Sequence, residues 1–212
     1  DRLDLPAVFR FLVHLAVASV LVAVGMVVEE LALPGMAWRL PVSLAALITV
    51  CYVVWMINLY NFMDGMDGLA GGMTVIGFGA LGLMGWMDAE WWFSVACWSI
   101  AASTLGFLVW NFPPARIFLG DAGSSTLGFL VAAFTVWADQ QEIVHMWISM
   151  LVFSPFIVDA TVTLVRRIIR GERIWEAHRS HYYQRLALRG WGHRRTVLWE
   201  YALMLACAAS AI

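Results

Sequence analysis

The sequence predicts an all-α fold: a polytopic transmembrane helical bundle of about seven spans, forming a single membrane-embedded domain over residues 1–212. Three observations carry this prediction. Of the 212 residues, 62% are hydrophobic and 13% charged, and the mean hydropathy of +0.77 lies outside the range of ordinary soluble domains. Apolar runs recur along the whole chain, several of them close to the ~20 residues that a helix needs to cross a hydrocarbon core. All 13 basic residues are arginines, and they are placed asymmetrically.

In chain order the predicted spans cover residues 7–28, 41–60, 72–87, 91–110, 125–137, 146–165 and 196–212. The third and fifth are short, so they should tilt little or extend into the neighbouring loops. Trp38, Trp86, Trp91, Trp92, Trp110 and Trp147 lie near span ends, where an indole suits the bilayer interface. If successive spans alternate, the loops near 1–10, 61–71, 111–124 and 166–195 share one side. Twelve of the 13 arginines fall there and only Arg39 falls opposite, which by the positive-inside rule makes that side cytoplasmic. Glu29, Glu30, Asp88, Glu90, Asp139 and Glu142 lie in the opposite loops, which read as simple connections.

Cys51, Cys97 and Cys207 all fall within predicted spans, with neither a CxxC nor metal-ligand spacing, which argues against a disulfide framework. The first apolar run is too long for a signal-peptide core and reads as a retained helix. The chain starts at a charged residue without Met. It is therefore expected to be a segment of a longer protein, truncated at the N-terminus.

Three loops on the predicted cytoplasmic side carry the chemistry. The first holds Asn58, Asn61, Asp64 and Asp67, with Gly65, Gly68, Gly71 and Gly72 interleaved, after 24 residues without formal charge. Carboxylates three residues apart would face the same way on a helical turn, and glycine lets backbone approach a ligand closely. That pattern suits a metal or nucleotide site at a membrane surface, although Asp and Gly are also ordinary in a solvated turn.

The second loop runs from Asn111 through Phe118 to Gly120, Asp121, Gly123 and Ser124. Asp121 between glycines is an accessible hard-oxygen ligand, and the amides of Gly123 to Ser125 at a helix start could bind phosphate oxygens. Helix capping by Ser and Asp is the plainer explanation of the same residues. The third loop, 166–195, holds nine arginines with His178, His181 and His193. Arg166, Arg167, Arg170 and Arg173 fit a topology anchor at an anionic leaflet. His178, Arg179 and His181 concentrate donors able to meet phosphate, with the two histidines at helix-neighbour spacing. Asp159 lies inside the sixth span, where an ionisable group is costly unless paired, and it reads as a support for His or Arg side chains.

Together these motifs resemble the polyprenyl-phosphate N-acetylhexosamine-1-phosphate transferases of glycosyltransferase family 4. The likeness covers nearly the whole chain, in three motifs in the expected order: Asn-x-x-Asn-Phe-x-Asp-Gly-x-Asp-Gly-Leu-Ala at 58–70, Phe-Leu-Gly-Asp-x-Gly-Ser at 118–124, and His178 with His181 in the third loop. Asp1-Arg2 looks like the second half of the family's Asp-Asp-Arg, and the family's roughly ten or eleven spans of ~20 residues imply that the end of the chain is truncated as well. The resemblance implies catalytic roles for Asp1, Asp64, Asp67, Asp121, His178 and His181. It implies substrate binding by Asn58, Asn61, Asn111, Phe118, Gly123, Ser124 and Arg179, with Asn111 and Phe118 at the uracil. Asp121 is the implied ligand of Mg2+, with Mn2+ as the alternative ion.

The implied reaction moves a sugar 1-phosphate from a UDP-N-acetylhexosamine to undecaprenyl phosphate at the cytoplasmic face of a bacterial inner membrane. The form of the third loop looks more like the undecaprenyl-phosphate GlcNAc-1-phosphate transferases and O-antigen or lipopolysaccharide initiators than the phospho-MurNAc-pentapeptide branch. The expected partners are those two substrates and the lipid bilayer, with a homodimer as a candidate assembly and no nucleic acid. A membrane transporter with cytoplasmic-face aspartates is the alternative from another class, but its ionisable groups should lie near the bilayer midplane. A CDP-alcohol phosphotransferase needs a following Ala-Arg and two further spaced aspartates, which Gly71, Gly72 and the apolar run after them do not supply. The Gly-x-Gly-Asp of intramembrane aspartyl proteases is not met at 118–121.

Overall fold

The computed structural model describes residues 6–172 and 180–212. Helix α1 (Ala7–Ala23) is followed by a hairpin of β1 (Glu30–Leu33) and β2 (Met36–Arg39). Then come α2 (Val42–Met63), α3 (Leu69–Met87), α4 (Trp91–Asn111), α5 (Gly120–Gln140), α6 (Met146–Val152), α7 (Ser154–Ile169), the short α8 (Tyr182–Leu186), a π-helical turn (Ala187–Trp191) and α9 (Gly192–Ala211). Among the described residues, α2, α3 and α4 are long and apolar enough to cross a membrane, α6 with α7 would form a fourth span, and α1 is a shorter apolar helix. The fold is the expected helical membrane bundle. Helices α3 and α5 run to 19 and 21 residues by extending into their loops.

Two expectations are corrected. The region read as one span at 146–165 is bent by 82° between α6 and α7. Pro155 at the start of α7 has no N–H for the Leu151 carbonyl, and the Ser154 hydroxyl donates to that oxygen instead at 2.7 Å. The connection near Arg39 is also more than a simple loop, because it folds into the antiparallel hairpin. The Thr49 hydroxyl accepts from the Val28 amide (2.9 Å) at the root of that hairpin, and Gln140 Nε2 donates to the Gly25 carbonyl (2.9 Å).

In lipid, the contacts that hold helices together are packing and interhelical hydrogen bonds rather than the hydrophobic effect, so small residues at crossings matter. Helix α2 packs along α5, and α3 along α4. Beneath them sit Phe78, Phe93, Phe134 and Trp137, with Phe78 and Phe134 edge to face at 5.3 Å and Phe93 and Trp137 at 5.1 Å. Gly128 of α5 lies against the α2 backbone, where an added Cβ would come within 2.6 Å of the Met56 carbonyl oxygen and 2.8 Å of Ile57 Cα. Because backbone cannot swing aside as a side chain can, Gly128→Ala should destabilise the bundle by about 1–3 kcal/mol. Thermal unfolding in detergent checks this, with Gly79→Ala, which meets nothing within 4 Å, as the neutral comparison.

Candidate active site

All three motif loops meet at one end of the bundle. Helix α2 stops at Met63, and α3 starts after Gly68, whose φ of +78° is open to glycine without strain. The intervening residues form a tight loop rather than a helical turn. Asp64 and Asp67 therefore do not face the same way, contrary to the spacing-based expectation. Asp64 lies beside Asp121, and Asp67 turns to the second loop and α9. Its Oδ2 accepts from the Ala115 amide at 3.1 Å and sits 3.4 Å from His193 Nδ1.

Asp121 occupies the first turn of α5. One of its oxygens is ion-paired with Arg10 of α1, and the other accepts from Asn61 Nδ2 at 3.1 Å. The same Asn61 nitrogen reaches Ser124 Oγ at 3.1 Å, and Ser124 Oγ donates to the Gly120 carbonyl at 3.1 Å. Burial, and next the negative charge of Asp121, push the Asp64 carboxyl up to about 7. Two hard-oxygen carboxylates that repel one another, one of them paired with the half-exposed Arg10 guanidinium, form a place where a further cation is welcome. Mg2+ commonly takes only one or two carboxylates and completes its shell with water and phosphate. Among the described residues no group of three or more His, Cys, Asp and Glu gathers into a metal-ligand arrangement. Asp64 and Asp121 are the residues that could hold such an ion.

The helix-start reading of Gly123 to Ser125 is also corrected. Helix α5 begins at Gly120, so its free amides belong to the first turn, Gly120 to Ala122, while Gly123 and the residues after it are committed to the helix ladder. Ser124 is fully buried, whereas Phe118 just before the helix is 76% exposed. Asn58 turns back on its own helix, donating to the Val54 carbonyl at 2.7 Å.

Asn111 ties the first two loops together. Its Oδ1 accepts from the Gly68 amide (2.9 Å) and its Nδ2 donates to the Ile117 carbonyl (2.9 Å). Both partners are backbone and Asn111 is buried, so Asn111→Ala strands a donor and an acceptor. It is expected to cost about 1–3 kcal/mol, read as a lower Tm in detergent.

The third loop is anchored from inside the bundle. Asp159 of α7 accepts from the amides of Tyr182 (3.0 Å) and Tyr183 (3.2 Å) and from the Thr163 hydroxyl (3.1 Å), and it meets His181 Nδ1 at 3.2 Å. His181 is thereby fixed just before α8 rather than within a helix, only 3% exposed and stacked between Phe62 and Tyr183. The Tyr183 hydroxyl donates to the Phe62 carbonyl at 3.1 Å, and burial raises its ionisation well above the usual phenol value. A cavity of about 260 Å3 opens between this segment and the first loop, lined by Gly65, Met66, Tyr183, Gln184 and His193. Asp1, His178 and Arg179 lie outside the described residues.

Arg10 is the site residue that motif reading missed. Its signal was an arginine one turn into an otherwise apolar run, and an ionisable group there deserves a functional hypothesis by default. His193 is the other group that spacing did not bring to the site, whereas Asp159 supports a histidine as its place inside an apolar span suggested.

The fold and the site define a class: a multi-pass helical membrane protein with paired aspartates, polar amides and arginine gathered at one end of the bundle. Residues 1–139 match the family described as Glycosyl transferase family 4, and the chain belongs to that family. A probable undecaprenyl-phosphate N-acetylglucosaminyl 1-phosphate transferase of Bacillus subtilis is 32% identical across 100% of this chain and 60% of its own length. A decaprenyl-phosphate N-acetylglucosaminephosphotransferase of Mycobacterium leprae is 33% identical over 95% of the chain and 56% of that protein. A phospho-N-acetylmuramoyl-pentapeptide-transferase of Halalkalibacterium halodurans is 35% identical over 72% and 46%. The chain thus spans roughly half of each of these relatives, from 46% to 60% of their length.

Proposed function

We propose that the protein transfers an N-acetylhexosamine 1-phosphate from a UDP-sugar to undecaprenyl phosphate, at the cytoplasmic face of a bacterial inner membrane. The observation that carries this reading is the convergence of Asp64, Asp121, Asn61 and Arg10 at the arginine-rich end of a membrane bundle. A phosphate oxygen of the lipid attacks the β-phosphorus directly. A new P–O bond forms there, the bond to the bridging oxygen breaks, and its electron pair leaves with UMP. The product is a polyprenyl diphosphate-linked sugar that starts a cell-surface polysaccharide.

Both reactants are anions, so charge is the main obstacle. Asp121 and Asp64 would hold Mg2+, which when bound supplies positive charge to the diphosphate oxygens. Asn61 keeps the Asp121 carboxylate oriented. Arg10, already opposite that carboxylate and 42% exposed, is placed to take a phosphate oxygen once a metal satisfies Asp121. The Asp159 anchor sets the third loop over the first, and Asn111 holds the second loop against it.

The test uses the full-length protein in membranes with undecaprenyl phosphate, Mg2+ and a panel of UDP-sugars that includes UDP-GlcNAc, 6-deoxy-N-acetylhexosamine donors and UDP-MurNAc-pentapeptide. UMP release with one donor, together with the matching lipid product, supports the reading and names the sugar. Folded protein that releases no UMP with any donor sinks it.

A further inference from the structure

The hairpin between α1 and α2 has its polarity reversed relative to a soluble loop. Its register pairs Glu30 with Arg39, Leu31 with Trp38, Ala32 with Ala37 and Leu33 with Met36. Residues directly opposite share a face, and successive residues alternate. Leu31, Leu33, Met36 and Trp38 therefore form one face, and Glu30, Ala32, Ala37 and Arg39 the other. The apolar face points outward, with Leu31, Leu33, Met36 and Trp38 exposed by 37%, 50%, 55% and 49%. On the other face Glu30 and Ala32 are half-buried, on the strand that packs against α6, while Ala37 and Arg39 of β2 are exposed.

We propose that this apolar face rests on the lipid bilayer, in the interfacial layer of the leaflet opposite the candidate active site. The hairpin continues an exposed apolar surface. The end of α1 exposes Val20 and, just after the helix, Val24, and the start of α2 exposes Val42 and Leu47. Its root is held by the bond from the Val28 amide to Thr49 and by the Leu40 amide donating to the Glu29 carbonyl at 2.9 Å, so the face keeps one orientation.

Chemistry and length agree with that depth. A four-residue strand spans ~13 Å, comparable with the ~5–10 Å that interfacial elements sink into the headgroup and acyl boundary. Trp38 sits on the apolar face and Arg39 on the other, which lets an indole dip while a guanidinium stays among headgroups. A two-stranded ribbon keeps unpaired edge amides and carbonyls that hydrocarbon cannot satisfy, so the hairpin lies in the interface and does not cross it.

The experiment places single cysteines at 31, 33, 36 and 38, and at 32 and 37 for comparison, in full-length protein with Cys51, Cys97 and Cys207 replaced. Each is spin-labelled in phosphatidylcholine–phosphatidylglycerol vesicles, and collisions with oxygen and with a water-soluble nickel chelate are measured. Oxygen should be favoured several-fold at 31, 33, 36 and 38, with the preference reversed at 32 and 37. Nickel access at all six positions would overturn the proposal by placing the hairpin in water. Exclusion of both quenchers from the apolar face, with dipolar broadening between labels, would overturn it in favour of a second copy of the chain as the covering surface.

Discussion

Asp121→Asn is expected to reduce kcat of the proposed sugar-phosphate transfer by about 10²–10³-fold or more, on the scale of losing one preorganised electrostatic group, and to leave the protein folded. The amide keeps the shape and still accepts from Asn61, but it no longer carries the charge that would bind a divalent ion. Folding survives because the Arg10 and Asp121 side chains are 42% and 47% exposed, and half-exposed ion pairs contribute little to stability. Turnover by UMP release and Tm in detergent, measured on the same preparation, separate the two effects. Near wild-type turnover would remove Asp121 from the reaction.

The same substitution should alter how stability depends on pH. The Asp64 carboxyl is raised from 3.8 to about 7 in the folded protein, by burial first and by Asp121 second. Between those values the folded protein holds a proton that the unfolded chain has released. Stability from this group is therefore fully present below 3.8 and is lost as pH rises through about 7. Metal-free wild-type protein should show a falling Tm from pH 5 to 8. Asp121→Asn removes the like charge and leaves burial, so the fall should shrink without vanishing. Identical slopes in both proteins would show that the two carboxylates do not interact.

Asp159→Ala should have the largest effect on stability, about 3–5 kcal/mol, the usual result of removing one member of a buried hydrogen-bonded pair. The Asp159 side chain is 9% exposed and accepts from two backbone amides and one hydroxyl besides meeting His181. Without it, the start of α8 loses its buried anchor on α7 and keeps the exposed hydrogen bond from Arg166 to the Tyr182 hydroxyl at 2.8 Å. The Tyr183 hydroxyl then loses its fixed approach to the Phe62 carbonyl, and the first loop loses the roof over Gly65, where a Cβ would stand 2.3 Å from that hydroxyl. Transfer activity should fall with Tm. Limited proteolysis after Arg185 should become faster in Asp159→Ala, and slower again in Asp159→Asn, which retains one acceptor. A Tm loss worth under ~0.5 kcal/mol, the size of an ordinary surface change, would show that the segment is held by other contacts.

Much of the architecture was legible in the residues because hydropathy and arginine placement are one-dimensional signals. Helices α2, α3 and α4 lie within a few residues of the apolar runs that predicted them. The three loops placed on one side by the arginines do meet there, through Asn61 with Asp121, Asn111 with Gly68, and Tyr183 with Phe62. Pro155 was visible as well, but the 82° bend needed more than a missing amide. It depended on Ser154 capping the freed carbonyl and on α7 docking separately against α2 and α9.

Direction was what the chain alone could not supply. Asp64 and Asp67 are three residues apart, yet a left-handed glycine and an early stop to α2 send one to Asp121 and the other to Ala115 and His193. Arg10 and Asp121 are 111 positions apart, and no local pattern announces a pair whose geometry exists only once α1, α2 and α5 pack. The hairpin belongs to the same class, since its alternation was present in the sequence while the face that turned outward was set by β1 packing on α6. By itself the sequence determined which segments form apolar helices and which motifs share an end of the bundle, because solvation by lipid or water acts on each residue where it stands. Which acid meets which base was decided only in the tertiary structure, because side-chain contacts depend on backbone directions that packing selects.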